Sequence, residues 1–249
     1  MAEVKRFCDY DAFAWLYAHY WGGEFHTQIL PMLERLILRL LPKGARVLDL
    51  CCGDGRIART LHKRGYQVVG LDGSEQMLHF ARQAAPQVPF HLADARDFTF
   101  PEPFDGVIST FDSLNHVMTR RDLQKVFRNV YAALKPGGYF AFDVNREEAY
   151  RDLWSNLSSV ITEQAVSIAR GEFDTRRGVA TCDITQFAHQ NGAWVRTDYT
   201  LRQKLHEHSH VMDDLEKVGF RNAACYDASS DLGMSGDIGR HRTFYLARK

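Results

Sequence analysis

The residues with the clearest chemical content follow a short apolar run. Val47-Leu48-Asp49-Leu50 leads into Cys51-Cys52-Gly53-Asp54-Gly55-Arg56. Glycines at 53 and 55 let the backbone turn tightly and approach a ligand closely. A helix starting there would aim its free N–H groups at that ligand. The bland alternative is a structural turn, since a lone G-x-G pair carries little information. The spacing Gly53-x-Gly55-x-x-Ala58 nearly matches a dinucleotide fingerprint, with the acid Asp72 roughly 20 residues on. Asp72 closes the run Val68-Val69-Gly70-Leu71. A carboxylate there can accept from both ribose hydroxyls of an adenosine ligand, or simply favour the next helix through its dipole. For proton transfer the candidates are His116, His208 and, more weakly, Tyr17, because imidazole titrates near neutral pH. The chain has 11 histidines, so a given one is more often a surface or packing residue. His206, His208 and His210 would share a face on a strand, yet no matching ligand group is visible, and no metal is expected.

These residues need a scaffold, and the apolar periodicity supplies one. Arg46 to Leu50 reads as a buried strand and Arg56 to Arg64 as a helix. Gln67 to Leu71 is a second strand and Ser74 to Ala84 a second helix, with Ser74 as N-cap. Val88 to Leu92 and Phe104 to Ser109 read as strands three and four. A helix from about Arg121 to Leu134, a turn at Lys135-Pro136-Gly137-Gly138 and a strand from Tyr139 to Val144 follow. Such alternation predicts a parallel sheet with helices on both faces. From about residue 163 to 205 the rhythm turns antiparallel. Val179 to Phe187 and Trp194 to Leu205 alternate in period two around the hairpin signal Asn191-Gly192. A helix from Met212 to Val218 and closing strands at Phe220 to Tyr226 and Thr243 to Ala247 complete the pattern. Ahead of the sheet, Leu33, Leu36, Ile37 and Leu40 show helical spacing, which Pro42 and Gly44 end.

Composition narrows the partners. Lys+Arg and Asp+Glu both number 31, which argues against nucleic acid or an anionic membrane as the main partner. The stretch from Leu30 to Leu41 is too short and too charged to span a bilayer. Five cysteines without a C-x-x-C pair, behind a start that lacks an apolar signal core, fit a cytoplasmic protein.

The run from Val47 to Gly55 resembles the first motif of the class I S-adenosylmethionine-dependent methyltransferases. Further motifs agree in order. Leu71-Asp72-Gly73-Ser74-Glu75-Gln76-Met77 resembles the second, His91-Leu92-Ala93-Asp94-Ala95 the third and Phe104-Asp105-Gly106-Val107-Ile108 the fourth. Leu134-Lys135-Pro136-Gly137-Gly138 resembles the turn before the fifth strand. The resemblance spans about residues 44 to 144. It implies a doubly wound, Rossmann-like α/β fold, a mostly parallel seven-stranded sheet with an antiparallel β insertion as lid. Residues 1–146 and 211–249 would form the cofactor-binding core with an N-terminal helical lid, and residues 147–210 the inserted β-rich substrate lid.

The resemblance also implies roles. Gly53 and Gly55 would face the methionine part of S-adenosylmethionine, with Asp49 beneath the loop or reaching the amino group. Asp72 and Gly73 would hold the ribose end, and Met77 would pack on the adenine. Asp94 would accept from the adenine amine and Ala95 would offer its N–H. Thr110 and Phe111 would line the methyl-transfer end, and Tyr10 would lie near the cofactor in an aromatic lid. Cys51 and Cys52 are read as small packing residues. The segments Asp9-Tyr10-Asp11-x-Phe13-Ala14-x-Leu16-Tyr17 and Phe111-Asp112-Ser113-Leu114-Asn115-His116 resemble methyltransferases of small molecules, bacterial amino-sugar N-methyltransferases among them. The expected acceptor is therefore a small-molecule nitrogen or oxygen, handled by a monomer or homodimer. A nicotinamide-dependent oxidoreductase and a non-catalytic cofactor-binding protein are the alternatives.

Overall fold

The computed structural model describes residues 7–190 and 192–249, so Met1–Arg6 and Asn191 of the expected hairpin turn lie outside the described residues. The first five strands are β1 (Arg46–Leu50), β2 (Gln67–Asp72), β3 (Phe90–Leu92), β4 (Phe104–Ser109) and β5 (Leu134–Asn145). Then come β6 (Leu157–Ile161), β7 (Ala165–Asp174), β8 (Val179–Gln190) and β9 (Ala193–Lys204), and last β10 (Arg221–Asp227) and β11 (Arg242–Arg248). The main sheet has seven strands in the order β10-β11-β5-β4-β1-β2-β3. β1 pairs in parallel with both β2 and β4, while β11 runs antiparallel between β5 and β10. Strand order therefore reverses between β1 and β4, the place where doubly wound sheets open a crevice beyond their carboxyl ends. The remaining strands form a separate antiparallel sheet in the order β6-β7-β8-β9.

Among the described residues, five helices of eight residues or more cover the main sheet: α1 (Gly22–Leu36), α2 (Arg56–Lys63), α3 (Glu75–Ala84), α4 (Arg120–Ala133) and α5 (His208–Val218). Apolar residues at helical spacing decide the faces. Phe25, Ile29, Leu33 and Leu36 of α1 pack with Val47, Leu61 and Ile108 on one side. Leu123, Val126, Phe127 and Val130 of α4, with Val211 and Leu215 of α5, pack with Leu48, Leu50 and Phe140 on the other. Ser74 caps α3 by accepting from the Met77 N–H at 3.1 Å, and Thr119 caps α4 through the Asp122 N–H at 3.1 Å. None of the described helices is long and apolar enough to cross a membrane.

Three expectations need correction. The third strand starts at Phe90, two residues late, because Pro89 has no N–H to donate; its carbonyl instead accepts from the Gly70 N–H at 2.9 Å. Strand β5 begins at Leu134, ahead of the glycines, across a register shift opposite Phe104 and Gly106. Helix α5 begins at His208 rather than Met212. His206 thus precedes the helix while His208 and His210 belong to it, so the three histidines share no strand face.

An N-terminal strap, residues 7–21, lies across the carboxyl ends of the sheet. Its helical turn from Ala14 to Leu16 widens into a π-turn at Tyr17–Trp21 before α1. Phe13 and Leu16 of the strap pack under Ala169, Ile184 and Leu201 of the second sheet, which roofs it.

One buried charge cluster ties these layers together. Arg242 on β11 forms ion pairs with Asp143 of β5 and with Asp112, which follows β4, the latter at 2.6 Å. Asp143 also accepts the N–H groups of Phe111 and Asp112 at 2.8 Å each. Those bonds hold both residues at positive φ, 63° and 49°, a conformation that costs non-glycine residues free energy. Removing one partner leaves the others charged and buried. Arg242→Met is therefore expected to lower unfolding free energy by about 3–5 kcal/mol in urea denaturation. A loss below about 1 kcal/mol would show that the carboxylates find other partners.

Candidate active site

A cavity of about 1130 Å³ lies between the strap, the carboxyl ends of β1, β2 and β4, and the inner face of the second sheet. Of the residues singled out from sequence, it is lined by Tyr10, Tyr17, Asp49, Gly53, Asp72, Gly73, Met77, Asp94, Ala95, Thr110, Phe111 and His116. Two stand elsewhere. Gly55 precedes α2 as its N-cap, at φ 73°, and a Cβ there would meet Ala81 Cβ at 2.8 Å and Phe90 at 2.9 Å. That approach packs the loop closely against α3, and Gly55 does not line the cavity. His208 is absent from the lining; its Nδ1 pairs with the Tyr245 hydroxyl at 3.0 Å. Its place at the exposed start of α5, turned toward Tyr245 of β11, therefore sets it apart from the cavity.

The glycine loop is organised by carboxylates. Asp72 accepts from the Gly53 N–H at 2.8 Å and the Ser74 N–H at 2.9 Å, one donor on each oxygen. Each oxygen keeps a further lone pair for a ligand hydroxyl. Burial pushes the Asp72 carboxyl up to about 6, against the pull of these donors. Asp49 is 1% exposed and takes the Ala58 N–H at the start of α2. Its Oδ2 has no hydrogen-bond partner among the described residues. Burial, reinforced by the Asp72 charge, pushes it up to about 8. An orphaned, buried acceptor of this kind calls for a donor that the described protein does not supply. Asp54 pairs with Arg56 at 2.6 Å, and Arg56 also donates to the Ala18 carbonyl of the strap. Tyr17 leans over the loop, with Cε1 3.6 Å from where a Gly53 side chain would begin. That position sets it against the loop rather than at a proton-transfer station.

At the rim, Asp94 is held by Arg96 through bonds of 2.6 to 3.0 Å. Phe111 stacks on Phe25 with centroids 4.1 Å apart. The thiols of Cys51 and Cys52 are driven well up by burial and by Asp72, so neither offers a thiolate.

Beyond the loop lies the group of greatest chemical interest. The Tyr10 hydroxyl is 2.8 Å from His116 Nε2. Burial lowers the His116 pKa despite the nearby Asp112, so the ring is neutral at pH 7. Gln203 of β9 reaches the same nitrogen at 3.0 Å. Sequence reasoning singled out His116 but missed Gln203, Asp143 and Arg242. Asp143 left one trace, a charge inside the apolar run Phe140-Ala141-Phe142. Gln203 and Arg242 left none, since each reads locally as a surface residue.

The orphaned acid has a pH signature. A carboxyl whose folded pKa lies above its unfolded value stabilises the fold at low pH and loses that contribution as pH rises through the folded value. Stability of the ligand-free protein should fall from pH 5 to 8, by up to about 1.4 kcal/mol per unit from Asp49. Asp49→Asn should flatten the profile in urea titrations. Parallel profiles for the two proteins would show that Asp49 is already ionised.

Comparison with known proteins bears on this geometry. Residues 47–138 match the family model described as "Methyltransferase domain". The Bacillus subtilis protein named "Putative methyltransferase YqeM" is 31% identical over 84% of this chain and 86% of its own length. A Streptomyces venezuelae dTDP-3-amino-3,4,6-trideoxy-alpha-D-glucopyranose N,N-dimethyltransferase is 29% identical over 73% and 74%. In fold, the chain is similar to an S-adenosylmethionine-dependent methyltransferase from Clostridium acetobutylicum, with a TM-score of 0.80 over 96% of this chain and 98% of the other at 20% identity.

Proposed function

The chain belongs to the class I S-adenosylmethionine-dependent methyltransferases, and we propose that it methylates an amine nitrogen of a small, sugar-like molecule, with Tyr10 and His116 handling the proton. Membership makes it an enzyme with S-adenosylmethionine as methyl donor and sets aside the nicotinamide alternative. The observation that carries the finer reading is the Tyr10–His116 pair, neutral and partly buried, at the end of the cavity beyond the glycine loop.

The residues present fit the cofactor. Asp49 Oδ2 is an unpartnered acceptor for an ammonium group. Asp72 keeps lone pairs for ribose hydroxyls, and Gly73 lies beside it. Gly53 presents bare backbone to the methionine portion, and Met77 offers an apolar face to the adenine. Asp94 and the Ala95 N–H would meet the polar edge of that base. Thr110 and Phe111 would stand at the methyl end. When bound, the cofactor supplies a sulfonium methyl that is already a good electrophile. The protein's own task is to align the acceptor and exclude water. The rings of Tyr10, Tyr17 and Trp21 line the same space and present faces that favour a cation.

Nitrogen alkylation leaves a surplus proton. The Tyr10 oxygen would take it from the acceptor while the hydroxyl's own proton passes to His116 Nε2. No free phenolate forms, which suits a phenol whose pKa burial holds well above its usual value. A hydroxyl acceptor would use the same pair and depend on it more. The Streptomyces relative named for an amino-sugar substrate supports the nitrogen choice. A cytoplasmic setting belongs to this reading, since all five cysteines are free.

Release of S-adenosylhomocysteine should be followed over a panel of amino sugars, simple amines and alcohols. With the acceptor found, Tyr10→Phe and His116→Ala should each lower kcat by about 10²-fold and leave cofactor affinity within about threefold. Full turnover in both variants would remove the pair from the chemistry. Cofactor binding should also expel most of one proton at pH 7 as Asp49 ionises against the ammonium. Calorimetry in buffers of different ionisation enthalpy reads that proton directly, and buffer-independent heats would overturn the Asp49 assignment.

A further inference from the structure

The contacts of His116 with strand β9 carry a second conclusion. Gln203 is fully buried on a strand of the roofing sheet, yet its amide reaches into the core. Its Oε1 accepts from Asn145 Nδ2 at 3.2 Å and from the Tyr150 hydroxyl at 3.1 Å. Its Nε2 faces Asp112 Oδ2 and His116 Nε2. The Asp112 carboxylate, paired with Arg242, can only accept, so the amide must turn its N–H groups that way. The second N–H of Gln203 then points at His116 Nε2, which must present a lone pair. The ring proton therefore sits on Nδ1, the nitrogen turned away from Tyr10 and Gln203, and the backbone of Arg202 lies beside the ring to favour it. Next to His116, Asn115 donates to the Lys204 carbonyl at 2.9 Å. Three successive residues of β9 thus address the His116 segment.

We infer that Gln203 is a positioning residue that holds His116 in its Nδ1–H tautomer, so that the base is completed only when strand β9 is docked. The inference rests on the reading of His116 as base. A ring protonated on Nε2 would set N–H against N–H across 3.0 Å and would turn its lone pair away from Tyr10. A docked Gln203 therefore disfavours both the other tautomer and the imidazolium. The second sheet walls the cavity through Ala169, Cys182, Ile184 and Leu201. The same sheet thus supplies both a wall of the acceptor space and the amide that keeps the His116 lone pair turned toward Tyr10.

The groups facing His116 are Tyr10 and Asp9 from the strap, Asp112 from its own segment, and Gln203 from β9, with Arg242 behind Asp112. The test is a ¹⁵N spectrum of histidine-labelled protein bound to S-adenosylhomocysteine, with the His116 ring identified by loss of its signals in His116→Gln. At pH 7.5 the wild-type ring should show a pyridine-type Nε2 and a pyrrole-type Nδ1. Gln203→Met keeps the length but removes the donor, and should give mixed tautomers. Gln203→Glu sets an acceptor against Nε2, and should move the proton there and raise the ring's titration midpoint by at least a tenfold change in proton concentration. The acid limb of kcat should rise with it. A wild-type ring already protonated on Nε2 overturns the inference, as does an unchanged tautomer in either folded variant. If neither variant folds, the wild-type spectrum alone decides. Full turnover by His116→Gln would instead strike the base assignment, and it is read in a separate assay from the tautomer.

Discussion

Arg242 sits where three parts of the chain must agree. Its guanidinium lies between the carboxylates of Asp143, on β5, and Asp112, just after β4, with the rings of Phe25 and Phe111 at 5.6 and 5.5 Å. A buried ion pair of this kind adds little net stability over apolar packing, because desolvation offsets most of the attraction. What it supplies is a demand for one geometry. Both oxygens of Asp143 are committed, to the N–H groups of Phe111 and Asp112, and the second oxygen of Asp112 is committed to Gln203. Those bonds keep two residues in the left-handed region and aim the following segment, with His116 in it, at the cavity. The segment that carries the base is thereby fixed to the central sheet by one face and to the roofing sheet by the other.

The cofactor end solves a different electrostatic problem. Asp49, Asp54 and Asp72 cluster around one glycine loop, and Arg56 answers Asp54 alone. Asp72 is held by backbone N–H groups, which place it without neutralising it. Asp49 keeps one buried oxygen unmatched. An excess of negative charge in a low-dielectric wall is costly in the empty protein and favourable once a cation enters. The raised carboxyls of Asp49 and Asp72 are the visible form of that cost. The site is thus prepared for a positively charged ligand before any ligand is bound.

Much of this scaffold was legible residue by residue. The period-two and period-3.6 apolar runs located every strand of the central sheet, because burial against a helix layer leaves that pattern no freedom. The glycine loop and Asp72 were legible because backbone curvature and a carboxylate at a strand end are local properties, while Asp49, inside β1, was legible through the resemblance of its motif. Misplacements had local causes too. Pro89 delayed β3, and the start of α5 was read four residues late because the polar run from His208 to His210 carries no apolar period. His208 failed as a site residue for a different reason: only the packing of α5 on β11 sends its ring to Tyr245.

The sequence by itself determined the fold class, the methyl donor and the carboxylates around it. The fold class and the carboxylates follow from local residue types and spacing, whereas the methyl donor follows from the ordered resemblance of five motifs, because the loop spacing by itself also suits a dinucleotide. Only the tertiary structure decided the acceptor end. It brought Tyr10 of the strap, His116 after β4 and Gln203 of β9 within about one hydrogen bond of each other, from positions far apart in the chain. It also showed Arg242, outwardly a surface arginine beside Arg240 and His241, to be the buried counter-charge of Asp112 and Asp143. The physical reason is that a polar side chain carries no periodic signature. Whether it meets water or a buried partner depends on which remote element packs over it.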